Sequence, residues 1–206
     1  MLKLYYNPGS CSLASHAALF ETGLPFARQR VDFSRDEQFS PEYRERNPWG
    51  RVPALEIEGS VLTENVAILS YIADLVPDRL LLPLGGLPRA RALEWLALLA
   101  GTVHIAFRPL FRPGRLASTS EGQQDVEQTG LVALREILER LDARLGEGPF
   151  ALGDEFSLCD TYLSVFALWT TRPAAAGRVG ALPNLHAFGD RLAERPPVAA
   201  APPAEG

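Results

Sequence analysis

The stretch Asn47 to Leu69 constrains this chain more than any other. Val52-Pro53 stands just ahead of a short apolar run, Ala54 to Ile57; Gly59-Ser60 turns the chain, Val61 to Thr63 returns it, and Glu64-Asn65 opens a helical pattern. Proline has no N–H to give a strand ladder, so its place at the head of a strand needs a backbone reason. A cis bond, which turns the neighbouring peptide groups outward toward an extended ligand, is one such reason. The helix start beyond the hairpin offers free N–H groups and positive potential, suited to a carboxylate. Side by side, the two features predict a site for a small peptide, with backbone pairing at Val52 and acid capture at Glu64 and Asn65.

Around this stretch the N-terminal part alternates strand and helix. Leu2 to Tyr6 reads as a buried strand ended by Asn7-Pro8-Gly9, and Ser12 to Thr22 as a helix stopped by Gly23. Phe26 to Phe33 alternates well enough for a second strand, and Ser40-Pro41 caps a short helix running to about Arg46. With the hairpin and a helix from Glu64 to Val76, the order is β-α-β-α-β-β-α. Pro77-Asp78-Arg79 ends that helix, and Leu80 to Leu87 reads as a linker.

Beyond the linker every segment reads as helix. Arg89 to about Phe107 is apolar round most of its circumference and is expected to be buried. Leu131, Leu134, Leu138, Leu141 and Leu145 recur at steps of three and four before Gly146 and Gly148-Pro149 close the pattern. Ser157 and Asp160 form a capping box at the head of a helix with almost no polar face, the expected centre of the core. A last helix is expected from Asn184, as its N-cap, to Glu194, ahead of Pro196-Pro197, with Ala199 to Gly206 packing loosely.

Bulk properties exclude several classes of function. A chain of 206 residues with 47% hydrophobic and 22% charged residues can bury a proper core as one or two domains. A net charge of −5 argues against nucleic-acid binding. The two cysteines, Cys11 and Cys159, make neither a disulfide framework nor a metal spacing, so no metal is expected. No leader pattern and no membrane-length apolar run is present, which makes a reducing cytoplasm the default and a membrane an unexpected partner.

Three side chains stand out chemically. Cys11 follows a turn at a helix start, where the macrodipole favours thiolate; with Ala14 three residues on, no dithiol motif exists, and the bland alternative is a packed thiol. Tyr6 ends the first strand, where a phenol could stabilise a thiolate; Tyr5 must face the other way, and packing is the rival role for either. His104 shares a helical face with Ala97, Gly101 and Arg108, whose small members leave room for a ligand or a partner helix, unless it is a satisfied core histidine.

The ordered set of V-P-A-L, the hairpin and T-E-N-V-A-I-L-S-Y-I-A-D resembles the glutathione site of the glutathione S-transferases. Leu2 to Leu13, with its cysteine, is similar to the bacterial beta class, and the likeness continues through Glu94-Trp95-Leu96, His104, Pro109-Leu110-Phe111 and Ser157 to Leu163. The resemblance implies an α/β thioredoxin-like N-terminal domain (1–79), a linker (80–87) and an all-α C-terminal helical domain (88–206). It implies glutathione as co-substrate, a small hydrophobic electrophile in a groove lined by Leu99 to Phe111, and a homodimer. Glutathione would meet Val52 and Pro53 through the backbone, Glu64 and Asn65 at its γ-glutamyl end, and Arg51 and Arg35 at its glycyl carboxylate. Its sulfur would lie near Cys11, Tyr6 and His104. The sequence departs from the beta class at Ala97, Ile105, Arg35-Asp36 and Asn65. Two rival functions stay open on the same scaffold: thiol–disulfide chemistry through Cys11, and non-catalytic binding of glutathione or a hydrophobic ligand.

Overall fold

A computed structural model describes residues 1–146 and 148–201; the end of the expected loose tail, 202–206, lies outside the described residues. Strand β1 (Leu2–Tyr6), helix α1 (Ser12–Thr22) and strand β2 (Phe26–Arg30) come first, then the short helix α2 (Pro41–Arg44). Strands β3 (Ala54–Ile57) and β4 (Ser60–Thr63) form the hairpin that leads into α3 (Asn65–Leu75). The sheet order is β2-β1-β3-β4. β1 and β2 are parallel, β3 is antiparallel to β1 with Leu55 opposite Leu4, and β4 is antiparallel to β3. This is the thioredoxin-like arrangement that the element order anticipates.

Local chemistry sets the ends of these elements. Gly23 stops α1 at φ 69°, a left-handed position that suits glycine. β2 ends at Arg30 rather than Phe33 because the Asp32 carboxylate accepts from Ser34 N–H at 2.9 Å and starts a 3₁₀ turn over Phe33–Arg35. Ser40 caps α2 as expected, its hydroxyl oxygen accepting from Tyr43 N–H at 3.2 Å. The strand alternation puts Leu4 and Leu55 on the face covered by α1 and α3, where they join the main core. Tyr5 and Ala54 point the other way, into a second cluster with Tyr43, Val31 and Val52.

The remainder is helical: α4 (Gly86–Leu98), α5 (His104–Ala106), α6 (Arg108–Phe111), α7 (Ser120–Leu145), α8 (Leu158–Thr170), α9 (Pro183–Ala193) and α10 (Pro196–Ala199). α8 is the core, buried on nearly every side, and α1 lies against it, which joins the sheet layer to the helices. The Asp160 carboxylate accepts from Ser157 N–H and Ala151 N–H, both at 2.7 Å, so the capping box forms. Burial pushes that carboxyl up to about 6, with the hydrogen bonds acting against it.

Three expectations are corrected. The segment 89–107 is not one buried helix: a wide π turn, Leu99–Val103, separates α4 from α5. Its Ala92, Trp95, Leu96, Leu99 and Val103 are buried, whereas Leu93 and Ile105 are exposed. Asn184 does not cap α9, which begins at Pro183; its Nδ2 donates to the Asp142 carbonyl at 3.0 Å. Asp142 of α7 supplies the cap instead, its Oδ1 accepting from Leu185 N–H at 2.8 Å. Lastly, Val198 and Ala201 are buried and α10 packs on α1, so the chain holds tightly through 201. Among the described residues no helix is long and apolar enough to cross a membrane.

Candidate functional site

A cleft of about 770 Å³ opens between the loops at the ends of the strands and the helices α5, α6 and α8. Its strand side is built around Val52. The Tyr43 hydroxyl and Asn47 Nδ2 both donate to the Arg51 carbonyl, at 2.6 and 2.8 Å, and fix the approach to the cis Val52–Pro53 bond. Gly50 at φ 59° lets the loop pass: a Cβ there would lie 2.8 Å from the Gln38 carbonyl oxygen. Val52, Pro53 and Arg51 all line the cleft.

Cys11, at the N-cap of α1, lines it too, and its Sγ donates to the Val52 carbonyl at 3.4 Å. Its thiol is pushed up to about 12, first by burial and then by the negative charge of Glu64, against a backbone hydrogen bond and Arg51. This corrects the expected thiolate. Desolvation beside Val52 outweighs the helix dipole, and the thiol is neutral at physiological pH.

The start of α3 faces the same space. Glu64 is exposed at φ 68° and ψ 124°, a left-handed conformation that a non-glycine residue adopts only under constraint. Asn65 is buried, and its side chain is committed internally: Oδ1 accepts from Ser15 Oγ at 2.7 Å and Nδ2 donates to the Cys11 carbonyl at 3.0 Å. The side-chain contact to a ligand expected of Asn65 therefore gives way to a bracing role, with the helix start still open to the cleft.

On the helical side, His104 Nδ1 lies 3.2 Å from the Tyr162 hydroxyl, and the imidazole packs edge-on against Trp169 at 5.0 Å. Burial, then Arg108 and Arg51, push the imidazole down to about 4, so it is neutral near pH 7. The π turn moves its face: Ala100 lines the cleft with His104, whereas Ala97 and Gly101 point to solvent.

Two candidates fall outside. Tyr6 is absent from the cleft lining because its ring turns to the α1 side of the sheet and lies 4.7 Å from the His16 imidazole. Arg35 is exposed and sits 3.8 Å from Glu37; its neighbour Asp36 lines the cleft instead. Three residues of α8 and its end were missed as site residues: Tyr162, Trp169 and Arg172. Trp169 Nε1–H donates to the Gly9 carbonyl at 3.0 Å, and the Arg172 guanidinium donates to the same oxygen, so the helical part holds the loop that carries Cys11. Arg108, Arg112 and Arg115 also line the cleft; their spacing of four and three was a signal that could have found them.

Comparison with known proteins sets this geometry in a family. The glutathione S-transferase N-terminal domain family matches residues 1–74 and the glutathione S-transferase C-terminal domain family residues 98–196. The chain is 38% identical to Glutathione S-transferase GstA of Escherichia coli O157:H7, over 100% of this chain and 99% of that protein. A bacterial beta class glutathione S-transferase from Sphingomonas chungbukensis superposes with a TM-score of 0.83 at 42% identity, covering 97% of this chain and 96% of that one. A glutathione transferase homologue from Sulfitobacter, solved with bound glutathione, superposes with a TM-score of 0.88 at 34% identity, covering 97% and 96%.

Proposed function

The chain belongs to the glutathione S-transferase family and is a glutathione transferase, and from that premise we propose how its cleft carries the reaction. Glutathione lies along Val52 and Pro53, pairing its cysteinyl backbone with that of Val52 as an added strand does. Its γ-glutamyl carboxylate meets the backbone N–H groups at the start of α3, beside Glu64 and Asn65. Arg51 is placed for the glycyl carboxylate, and the sulfur lies between Cys11 and His104. The observation that supports this reading is that Cys11, Val52, Glu64 and His104, far apart in sequence, line one cleft.

The chemistry follows from charge and placement. The glutathione thiol loses its proton to solvent, the thiolate sulfur attacks the electrophilic carbon, and the leaving group departs with the bonding pair. A neutral His104 suits this: we assign the Tyr162 phenol as the donor to Nδ1, 3.2 Å away, which leaves the imidazole proton on Nε2 to donate toward the thiolate. Cys11, whose neutral S–H donates to the Val52 carbonyl, turns that one proton to the glutathione sulfur when glutathione binds and acts as a donor rather than attacking. Its raised pKa speaks against the thiol–disulfide rival. The rest of the rate comes from holding sulfur and acceptor together.

The acceptor is a small hydrophobic electrophile placed against Phe107, Phe111 and Trp169, and detoxification is the corresponding role. Residues 1–79 carry glutathione and 88–206 the acceptor, joined by 80–87. Exposed Leu87 and Leu93 on α4 support a homodimer, and a reaction that consumes reduced glutathione supports a cytoplasmic location.

Kinetics of conjugation to a neutral aryl halide test this. Glu64→Ala is expected to raise the KM for glutathione about tenfold, and His104→Ala to lower kcat by about tenfold to a hundredfold. Wild-type protein that binds glutathione without saturable turnover would overturn the reading in favour of a carrier.

A further inference from the structure

Resting on that reading, we infer that the acceptor subsite selects aromatic electrophiles bearing an anionic group, because Arg108, Arg112, Arg115 and Arg172 line the cleft beside its aromatic floor. The floor is continuous: Phe107 stacks on Phe111 at 5.3 Å, and Phe111 meets Trp169 edge-on at 5.4 Å. The Arg172 guanidinium lies 5.9 Å from the ring centroids of both Phe111 and Trp169, so a cation borders the place where an aromatic acceptor would stack.

Outside the cleft some guanidiniums are held by carboxylates, Arg89 by Asp74, Arg91 by Glu94, Arg178 by Glu127 and Arg195 by Glu21, and others, Arg79, Arg135 and Arg191, donate to backbone carbonyls. Among the described residues none of Arg108, Arg112, Arg115 and Arg172 has a carboxylate within 4.0 Å, in a protein whose net charge is −5. The acids that line the cleft come from other elements: Glu64 stands at the start of α3, and Asp36 accepts from Gln38 Nε2 at 3.1 Å. Burial and the nearby Arg112 charge both make the protonated form of Arg172 less favourable. A carboxylate or sulfonate on the acceptor would relieve that like-charge crowding and gain charge-assisted hydrogen bonds. The group stays attached through the reaction; only the carbon–sulfur bond forms and the bond to the leaving halide breaks.

A matched pair of acceptors tests the inference: 1-chloro-2,4-dinitrobenzene, which is neutral, and 4-chloro-3,5-dinitrobenzoate, which is anionic. Each kcat/KM is divided by the uncatalysed second-order rate constant with glutathione. The expected result is a preference of about tenfold or more for the anion, falling about tenfold in an Arg112→Gln, Arg115→Gln double variant and shrinking as ionic strength rises. Turnover of the neutral acceptor with no preference for the anion overturns this inference and leaves the transferase reading standing. A double variant whose losses are equal for both acceptors and track a raised KM for glutathione assigns the arginines to glutathione, and also overturns it. No turnover of either acceptor by folded protein overturns both.

Discussion

Asn65, the first residue of α3, reaches back to α1 and holds the Cys11 carbonyl with its Nδ2 at 3.0 Å while its Oδ1 takes the Ser15 hydroxyl at 2.7 Å. One buried amide thus ties the two helix starts that face the cleft. Asn65→Ala would leave a buried hydroxyl and a carbonyl without these partners, at a cost of about 1–3 kcal/mol in urea unfolding. The same change is expected to raise the KM for glutathione, since the start of α3 and the Cys11 loop lose their common brace. Unchanged stability and KM would show that the amide is dispensable.

Gly130 makes an opposite point about a helix interior. In an exposed helix Gly→Ala gains about 1 kcal/mol, but a Cβ on Gly130 of α7 would collide with Pro109 Cβ on α6. Gly130→Ala is therefore expected to destabilise by about 1–3 kcal/mol and to weaken acceptor binding, because α6 carries Phe111. A raised melting temperature would refute the close approach.

Stability should fall in acid through two histidines. Burial, with Arg28 second, pushes His16 down to about 4 from 6.5, and His104 is displaced equally far. Unfolded chains bind those protons first, so this stability is complete above pH 6.5 and is lost as pH falls toward about 4. Asp160 runs the other way: its raised carboxyl favours the fold below pH 3.8 and loses that contribution as pH rises through about 6. Melting curves of wild type and His16→Leu separate the two, and the variant is expected to show a shallower acid loss between pH 6.5 and 4. Equal slopes would contradict a neutral buried His16.

Cys11 should label slowly. With its thiol pushed up to about 12, the thiolate fraction near neutrality is tiny, so alkylation by iodoacetamide should run at least about a hundredfold slower than for free cysteine. Cys11→Ala is expected to keep most conjugating activity. Rapid labelling at pH 7 would restore the thiolate expected from helix position alone.

The parts of this account visible in the sequence are those set by neighbours along the chain. Asn7-Pro8-Gly9, Gly23, Ser40-Pro41 and Val52-Pro53 act through local backbone chemistry, and the structure places the element boundaries within a few residues of them. Tertiary effects hid the rest. Alternation says that Tyr5 and Tyr6 face opposite ways but not which side opens on the cleft, and Tyr6 turned to His16. The π turn at Leu99–Val103 shifts the helical phase, which moved Ala97 and Gly101 away from His104. Asp142 took the cap that local sequence assigns to Asn184, through a contact between distant helices. Cys11 misled because a helix start is read locally, whereas burial beside Val52 is not.

The central claim is that the cleft binds glutathione at Val52 and the start of α3 and lowers its thiol pKa beside a neutral His104. Ultraviolet difference absorbance of the glutathione thiolate, titrated with pH on the Cys11→Ala protein, reads that pKa without interference from the protein's own cleft thiol. The account predicts a midpoint at least about one unit below the value of about 8.5 for a free thiol, returning toward it in the His104→Ala, Cys11→Ala protein. A midpoint equal to that of free glutathione, with glutathione shown to be bound, would contradict it.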